Sequence, residues 1–337
     1  MPLSLIEIAA LRRLARVYRR ILVLAVPAAI AGCQDGGDAL APESTADEVA
    51  VPVTEAVSAA LTMDRIVFAS EVAEEEADLW TMTPTGGNVT HLTTFAGSEL
   101  HPVWSPDHKR VAFQRARNGK LDVFLMNADG TNKHWAMPTQ SSYSLTTASW
   151  SPDGTNLLVQ VQPTTSQSYV GKIDLASGKL QILAPAGYYN RPGRYPIYSK
   201  DGKWVYYVAG TVPSMIRKFQ PYGGDWYVSG FPAFVGELAL SPDGNKIAYD
   251  MIYENTDNAT HREIFVMDLT AHKSTRLTYT SSSNEIHPAW SPDGTLLAFV
   301  SDRSGKWQIY TMNSSTGGNV HKLTNKANGA GDPSWYR

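Results

Sequence analysis

The chain has 337 residues, 43% of them apolar and 18% charged, with 29 basic against 32 acidic side chains and a formal net charge of −3. That balance argues against nucleic acid as a partner, which calls for a clustered basic surface. A single cysteine excludes an internal disulfide, so a fold of this size must be held by packed apolar area.

The first element is a leader. Residues 1–20 contain Arg12, Arg13, Arg16, Arg19 and Arg20, and residues 21–32, "ILVLAVPAAIAG", form an uncharged, mostly apolar run. Twelve residues are too few to span a bilayer, which takes about 20, but they suit the core of a signal peptide. The run ends on Ile30-Ala31-Gly32-Cys33, which looks like a lipobox, so residues 1–32 are predicted to be a lipoprotein signal peptide, with Cys33 as the lipidated residue. The alternative is an ordinary secretory signal cut near Ala31. Losing five Arg and one Glu with the leader leaves 24 basic and 31 acidic residues, a mature net charge of −7.

Residues 33–62 hold six acidic and no basic side chains and show no convincing periodicity. They read as a flexible tether with a reach on the order of 30 Å.

From residue 63 the chain repeats itself. "HPVWSPDHKRVAF" begins at His101, "ASWSPDGTNLLVQV" at Ala148, "YPIYSKDGKWVYYV" at Tyr195, "ELALSPDGNKIAY" at Glu237 and "HPAWSPDGTLLAF" at His287, and "DPSWYR" ends the chain. The residues before each Ser are Trp104, Trp150, Tyr198, Leu240 and Trp290, and Trp335 holds the same place in the truncated last copy; they are spaced by 46, 48, 42, 50 and 45 residues, the period of one four-stranded propeller blade. Pro-x-Trp reads as a short strand, Ser-Pro-Asp-Gly as a turn, and the apolar run after it as a second strand. His108 replaces the turn glycine in one copy. Because residues 64–70 open with a second strand and residues 333–336 close with a first, the two ends are expected to share a blade. The expectation for residues 63–337 is an all-β, six-bladed propeller closed by pairing of the C-terminal strand with the first blade.

These tiles resemble the WD-like repeats of the TolB-like propeller family. The resemblance implies an extracytoplasmic, non-enzymatic binding scaffold for a cell-envelope protein, on the periplasmic or cell-surface side of a membrane. TolB itself has an additional α/β domain before its propeller, for which residues 1–62 leave no room. A monomer is expected.

Function is placed on the face that carries the connections between blades, where four segments look like long loops: 71–78, 184–194, 252–261 and 280–285. The residue before each Pro position should ring the channel mouth, namely His101, Thr147, Tyr195, Glu237, His287 and Asp332. Glu99 and Glu285 precede two of the histidines, and Glu99, His101, Glu285 and His287 together form a set able to hold a divalent cation. Polar residues lining a wet funnel explain the ring equally well without one. Tyr188, Tyr189, Arg191 and Arg194 cluster where the repeat departs most from its consensus, as a partner or glycan surface or as packing for the lost Trp at Tyr198. Trp135, Trp226 and Tyr227 fall on outer strands.

No nucleophile elbow, His-Glu-x-x-His, phosphate loop or dinucleotide fingerprint occurs in the chain. The enzymatic alternative is a metal-dependent, carbohydrate-active propeller resembling the oligogalacturonate lyases, acting through His101 and His287, or a sugar-binding propeller using the same mouth.

Overall fold

The computed structural model describes residues 64–335 except 74–75, 164–167, 184–192, 211–212, 222 and 255–259. The leader, the tether, Cys33, Tyr188, Tyr189 and Arg191 lie outside these residues. Among the described residues all regular structure is β.

Six antiparallel four-stranded sheets make the six blades. Blade one comprises Ile66–Ala73 (β1), Glu76–Met82 (β2) and Thr90–His91 (β3). Blade two is Glu99–Trp104 (β4), Arg110–Arg117 (β5), Lys120–Asn127 (β6) and His134–Trp135 (β7), and blade three is Ser144–Trp150 (β8), Asn156–Gln162 (β9), Tyr169–Asp174 (β10) and Lys179–Leu183 (β11). Blade four is Gly193–Tyr198 (β12), Val205–Ala209 (β13), Ser214–Phe219 (β14) and Asp225–Phe231 (β15), and blade five is Val235–Leu240 (β16), Lys246–Glu254 (β17), Thr260–Asp268 (β18) and Lys273–Arg276 (β19). Blade six is Glu285–Trp290 (β20), Leu296–Ser301 (β21), Gln308–Asn313 (β22) and His321–Lys322 (β23), after which Ala330–Trp335 (β24) returns to pair with β1 as the inner strand of blade one. The ring closes as the repeat pattern requires.

Packing follows the same sixfold logic. Six apolar clusters are present, one at each junction between neighbouring blades. Corresponding second-strand positions hold Phe68, Phe113, Tyr249 and Phe299, all fully buried, and trimming such a ring to Ala costs about 3–5 kcal/mol. The tile tryptophans tie neighbours together: Trp150 Nε1 donates to the Val103 carbonyl and Trp290 Nε1 to that of Ala239, each at 3.0 Å and each from one blade to the one before it.

The Ser-Pro-Asp turns repeat one hydrogen-bond pattern. In blade six, Ser291 Oγ donates to Asp293 Oδ1 at 2.6 Å, and the Thr295 and Leu296 amides donate to Asp293 Oδ1 and Ser291 Oγ. Those hydrogen bonds, led by the serine's, hold the Asp153, Asp201, Asp243 and Asp293 carboxyls below the ordinary range. His108 adopts a φ of 62°, in the left-handed region that Gly154, Gly202, Gly244 and Gly294 occupy in the other turns.

Two of the segments expected as loops carry paired strand residues at both ends. Residues 71–78 belong to the β1–β2 hairpin, with Glu71 paired to Ala77, and β17 and β18 remain paired up to Glu254 and Thr260. The alternating "MIYE" and "THRE" runs extend the ladder, so this face presents projecting hairpins.

Candidate functional site

The mouth is built on a repeated irregularity of the inner strands. In blades one, two, four and six an x-Pro pair bulges opposite a single second-strand aromatic: Asp332-Pro333 over Phe68, His101-Pro102 over Phe113, Tyr195-Pro196 over Tyr207 and His287-Pro288 over Phe299. Proline is tolerated because the inner strand is a sheet edge, with no ladder partner for its missing N–H. The residue before it takes φ between 48° and 52°, a left-handed conformation that is costly for a side chain of this size. Blade five reaches the same place through Gly236-Glu237, opposite Asp250.

Four of the six predicted mouth residues come together. His101 Nδ1 lies 3.2 Å from Glu237 Oε1 and 3.8 Å from Asp332 Oδ2, His287 Nδ1 lies 2.7 Å from Asp332 Oδ1, and the imidazole centroids are 5.8 Å apart. His101 belongs to blade two and Glu237 to blade five, so their contact spans the ring. Asp332, from blade one, lies between the histidines of the two blades that flank it. All four side chains are partly exposed.

Electrostatics make the cluster a closed set. Burial works against the charged imidazole of His101, but the Asp332 and Glu237 carboxylates outweigh it and raise the pKa to about 9. His287 is raised for the same reason. Burial likewise opposes ionisation of Glu237 and Asp332, and the two histidines overcome it, holding both below the ordinary carboxylate range. At neutral pH the His101 imidazolium therefore faces two carboxylates, which also favour the charged form of His287.

Beneath the mouth is a channel of about 370 Å³. Its wall is largely proline and aromatic, including Pro102, Pro196, Pro288, Trp104, Trp150 and Trp290. Tyr195 also lines it, its amide donating to Gln160 Oε1 at 3.4 Å while burial raises its hydroxyl pKa. The Thr147 backbone holds the corresponding place in blade three, opposite Val159.

The four proposed metal ligands are not brought together, which corrects that expectation. Glu99 and Glu285 are fully buried inside blade junctions. Glu99 accepts from Thr93 Oγ1 at 3.1 Å and Arg115 Nε at 3.2 Å, and Glu285 accepts from Ser283, Ser301 and Arg303. A regular strand puts residues i and i+2 on one face, but the left-handed turn at His101 and His287 breaks that alternation. Among the described residues no three His, Cys, Asp or Glu groups are arranged to hold a metal ion.

Arg194 is a packing group. Its guanidinium lies 4.3 Å from the Phe234 ring centroid and donates to the Gly210 carbonyl at 2.7 Å. The residue that sequence reasoning missed is Asp250. It is fully buried, ion-paired with Arg262, and accepts the Glu237 amide at 3.2 Å and the His287 amide at 3.4 Å, so it anchors two mouth residues from below. Gly236 makes room for it, since a Cβ there would collide with both Asp250 and Arg262. An acidic residue inside the apolar second strand "KIAYDM" was the available signal.

Comparison with known proteins agrees with the propeller fold. A family model described as the TolB beta propeller domain matches residues 62–211 and 189–337. The chain is 25% identical over 211 residues to the uncharacterized peptidase YuxL of Bacillus subtilis, covering 60% of this chain and 30% of that protein. It is 23% identical over 245 residues to dipeptidyl-peptidase 5 of Porphyromonas endodontalis, covering 68% and 33%. The chain thus spans about a third of the length of these curated relatives. In structure it is similar to TolB from Acinetobacter baumannii, with a TM-score of 0.67, 20% identity and coverage of 84% of this chain and 70% of that one. An oligogalacturonate lyase from Vibrio parahaemolyticus is similar at a TM-score of 0.51 and 15% identity, covering 73% and 85%, a likeness of fold alone.

Proposed function

Because the chain belongs to the TolB beta propeller domain family, we propose that it works without catalysis, as an extracytoplasmic scaffold that binds a cell-envelope protein through its hairpin-bearing face and channel mouth. The observation that carries this reading is the His101–Glu237–Asp332–His287 cluster. Its carboxylates keep His101 protonated at neutral pH and favour the charged form of His287, which suits polar recognition at a rim and withdraws His101 as the neutral imidazole that a general base needs. In this reading Cys33 carries the lipid, residues 33–62 tether the propeller, and the protein faces the periplasm or the cell surface.

The test is site-specific photocrosslinking in intact cells. A crosslinker replacing Tyr279, which is 73% exposed in the connection leading into blade six, should capture a discrete protein, and one replacing Lys203, in the Ser-Lys-Asp-Gly turn of blade four, should not. Combining the Tyr279 probe with His101→Ala and His287→Ala should weaken capture by about tenfold, the effect of losing roughly 1.4 kcal/mol of binding. Capture from Lys203 alone would contradict the proposed face.

The second reading, a carbohydrate-active enzyme or a sugar-binding propeller, rests on the two histidines set 5.8 Å apart above a channel. It requires depolymerisation of a polysaccharide, or its binding, that the same double variant abolishes.

A further inference from the structure

The two carboxylates of the mouth cluster are not held alike. Asp332 comes from blade one and serves the two blades beside it: it lies 2.7 Å from His287 Nδ1 and 3.8 Å from His101 Nδ1, and it accepts the His101 amide at 3.1 Å. Its side chain is 13% exposed. Glu237 comes from blade five, which stands across the six-bladed ring from blade two. Among the described residues its carboxylate makes one hydrogen-bond contact, with His101 Nδ1 at 3.2 Å, and at 28% it is the most exposed side chain of the four.

The backbone under Glu237 is fixed where its side chain is not. Its amide donates to the buried Asp250, and Gly236 before it is packed so closely that a Cβ would collide with Asp250 and Arg262. Leaving His101 therefore takes only rotation about the side-chain bonds of Glu237, with no movement of a blade.

What Glu237 would leave behind is a place of defined chemistry. His101 and His287, 5.8 Å apart between centroids, would share one counterion, Asp332. The group that restores the balance carries one negative charge and acceptor oxygens, the description of a second carboxylate. Glu237, His101 and Asp332 line the mouth end of the channel, whose wall there includes Pro102, Pro196 and Pro288, so the place opens onto apolar surface that can hold the stem of such a group. We propose that Glu237 is a built-in substitute for a ligand carboxylate, and that the partner protein inserts a carboxylate of its own against His101 and His287, displacing Glu237 from the mouth. The class of partner rests on the scaffold reading above. The exchange itself is measured on the purified chain, so its failure is distinct from a failure to capture a protein at Tyr279.

The test is an NMR titration of the full chain at pH 6, following the His101 and His287 imidazoles. The probes are acetyl-glutamate amide for a side-chain carboxylate, acetyl-alanine for a chain-end carboxylate, acetyl-glutamine amide as the neutral control, and galacturonate. Glu237→Gln should bind at least one of the two peptide carboxylates at least about tenfold more tightly than the wild type does, because the competing charge is gone, and the tighter of the two names the source. Glu237→Ser, which leaves no amide to refill the place, should gain as much. Adding His101→Ala should cancel the gain, and the neutral control should bind no variant. Melting temperatures matching the wild type establish that the variants fold. Equal affinity of the wild type and both Glu237 variants, no binding to any of them, or equal binding of the neutral control overturns the proposal. Galacturonate bound more tightly than either peptide carboxylate also overturns it, by giving the mouth to an acidic sugar.

Discussion

Blades two and six share the tile Glu-x-His-Pro-x-Trp-Ser-Pro-Asp, yet the junctions that precede them handle the same burden of buried charge differently. Ahead of blade six, Glu263 and Glu285 are both fully buried and each has its own guanidinium, with Arg276 at 2.9 Å and Arg303 at 3.2 Å. Thr280 Oγ1 lies 3.3 Å from Glu263 Oε1 and 2.5 Å from Glu285 Oε2, bridging the two carboxyl groups. Ahead of blade two, Asp78 and Glu99 are similarly buried, but the place of Arg276 is taken by His91, 2.6 Å from Asp78, and Arg115 alone serves Glu99. The register proves the equivalence, since His91 pairs with Trp80 as Arg276 does with Phe265. With one permanent cation fewer, burial prevails over the Thr93 and Arg115 contacts, Asp78 adds to it, and the Glu99 pKa rises to about 8. Repetition fixes the shape of a junction, while the groups placed around Glu99 set the protonation of that one acid.

The largest effect is expected from breaking the better-compensated junction. Arg276→Ala leaves Glu263 buried without its partner and also removes the Nε bond to the Thr278 carbonyl; thermal unfolding should report a loss of about 3 kcal/mol. A negligible loss would mean that Glu263 does not depend on the ion pair.

Glu99→Gln sharpens the contrast through pH. The folded carboxyl ionises near 8 and the unfolded one near its ordinary value of 4.5, so its contribution to stability is complete below 4.5 and declines as pH rises through 8. Denaturant melts should show the wild type losing on the order of 5 kcal/mol across that window relative to the Gln variant. Parallel profiles for the two proteins would refute an uncharged Glu99.

The turns of the two blades differ least. His108→Gly relieves a left-handed residue where blade six has Gly294, and should raise stability by about 1 kcal/mol, or Tm by about 2–4 °C. Gly294→Ala should lower it by a similar amount.

The fold was legible because each tile repeats a turn, an apolar strand and an aromatic staple, and because the strand missing at residue 64 reappears at residue 330. The mouth positions were legible through one feature, the residue before proline, which the bulge delivers to the channel in blades one, two, four and six. Beyond that, strand periodicity misleads: it groups Glu99 with His101 and Glu285 with His287, and the left-handed backbone at the histidines separates them. The reach of Glu237 across the ring to His101 depends on channel width, a property of six packed sheets that no local pattern encodes. Asp250 stood out in its strand, but its role in holding two amides from neighbouring blades required the closed ring.

The most direct test of the closed charge cluster is an NMR titration of the His101 imidazole in the full chain. The expected result is a midpoint near 9 that falls toward the ordinary value of about 6.5 in the Glu237→Gln, Asp332→Asn variant. A wild-type midpoint near 6.5, unchanged by the double substitution, would mean that blades one, two and five do not meet across the channel as described.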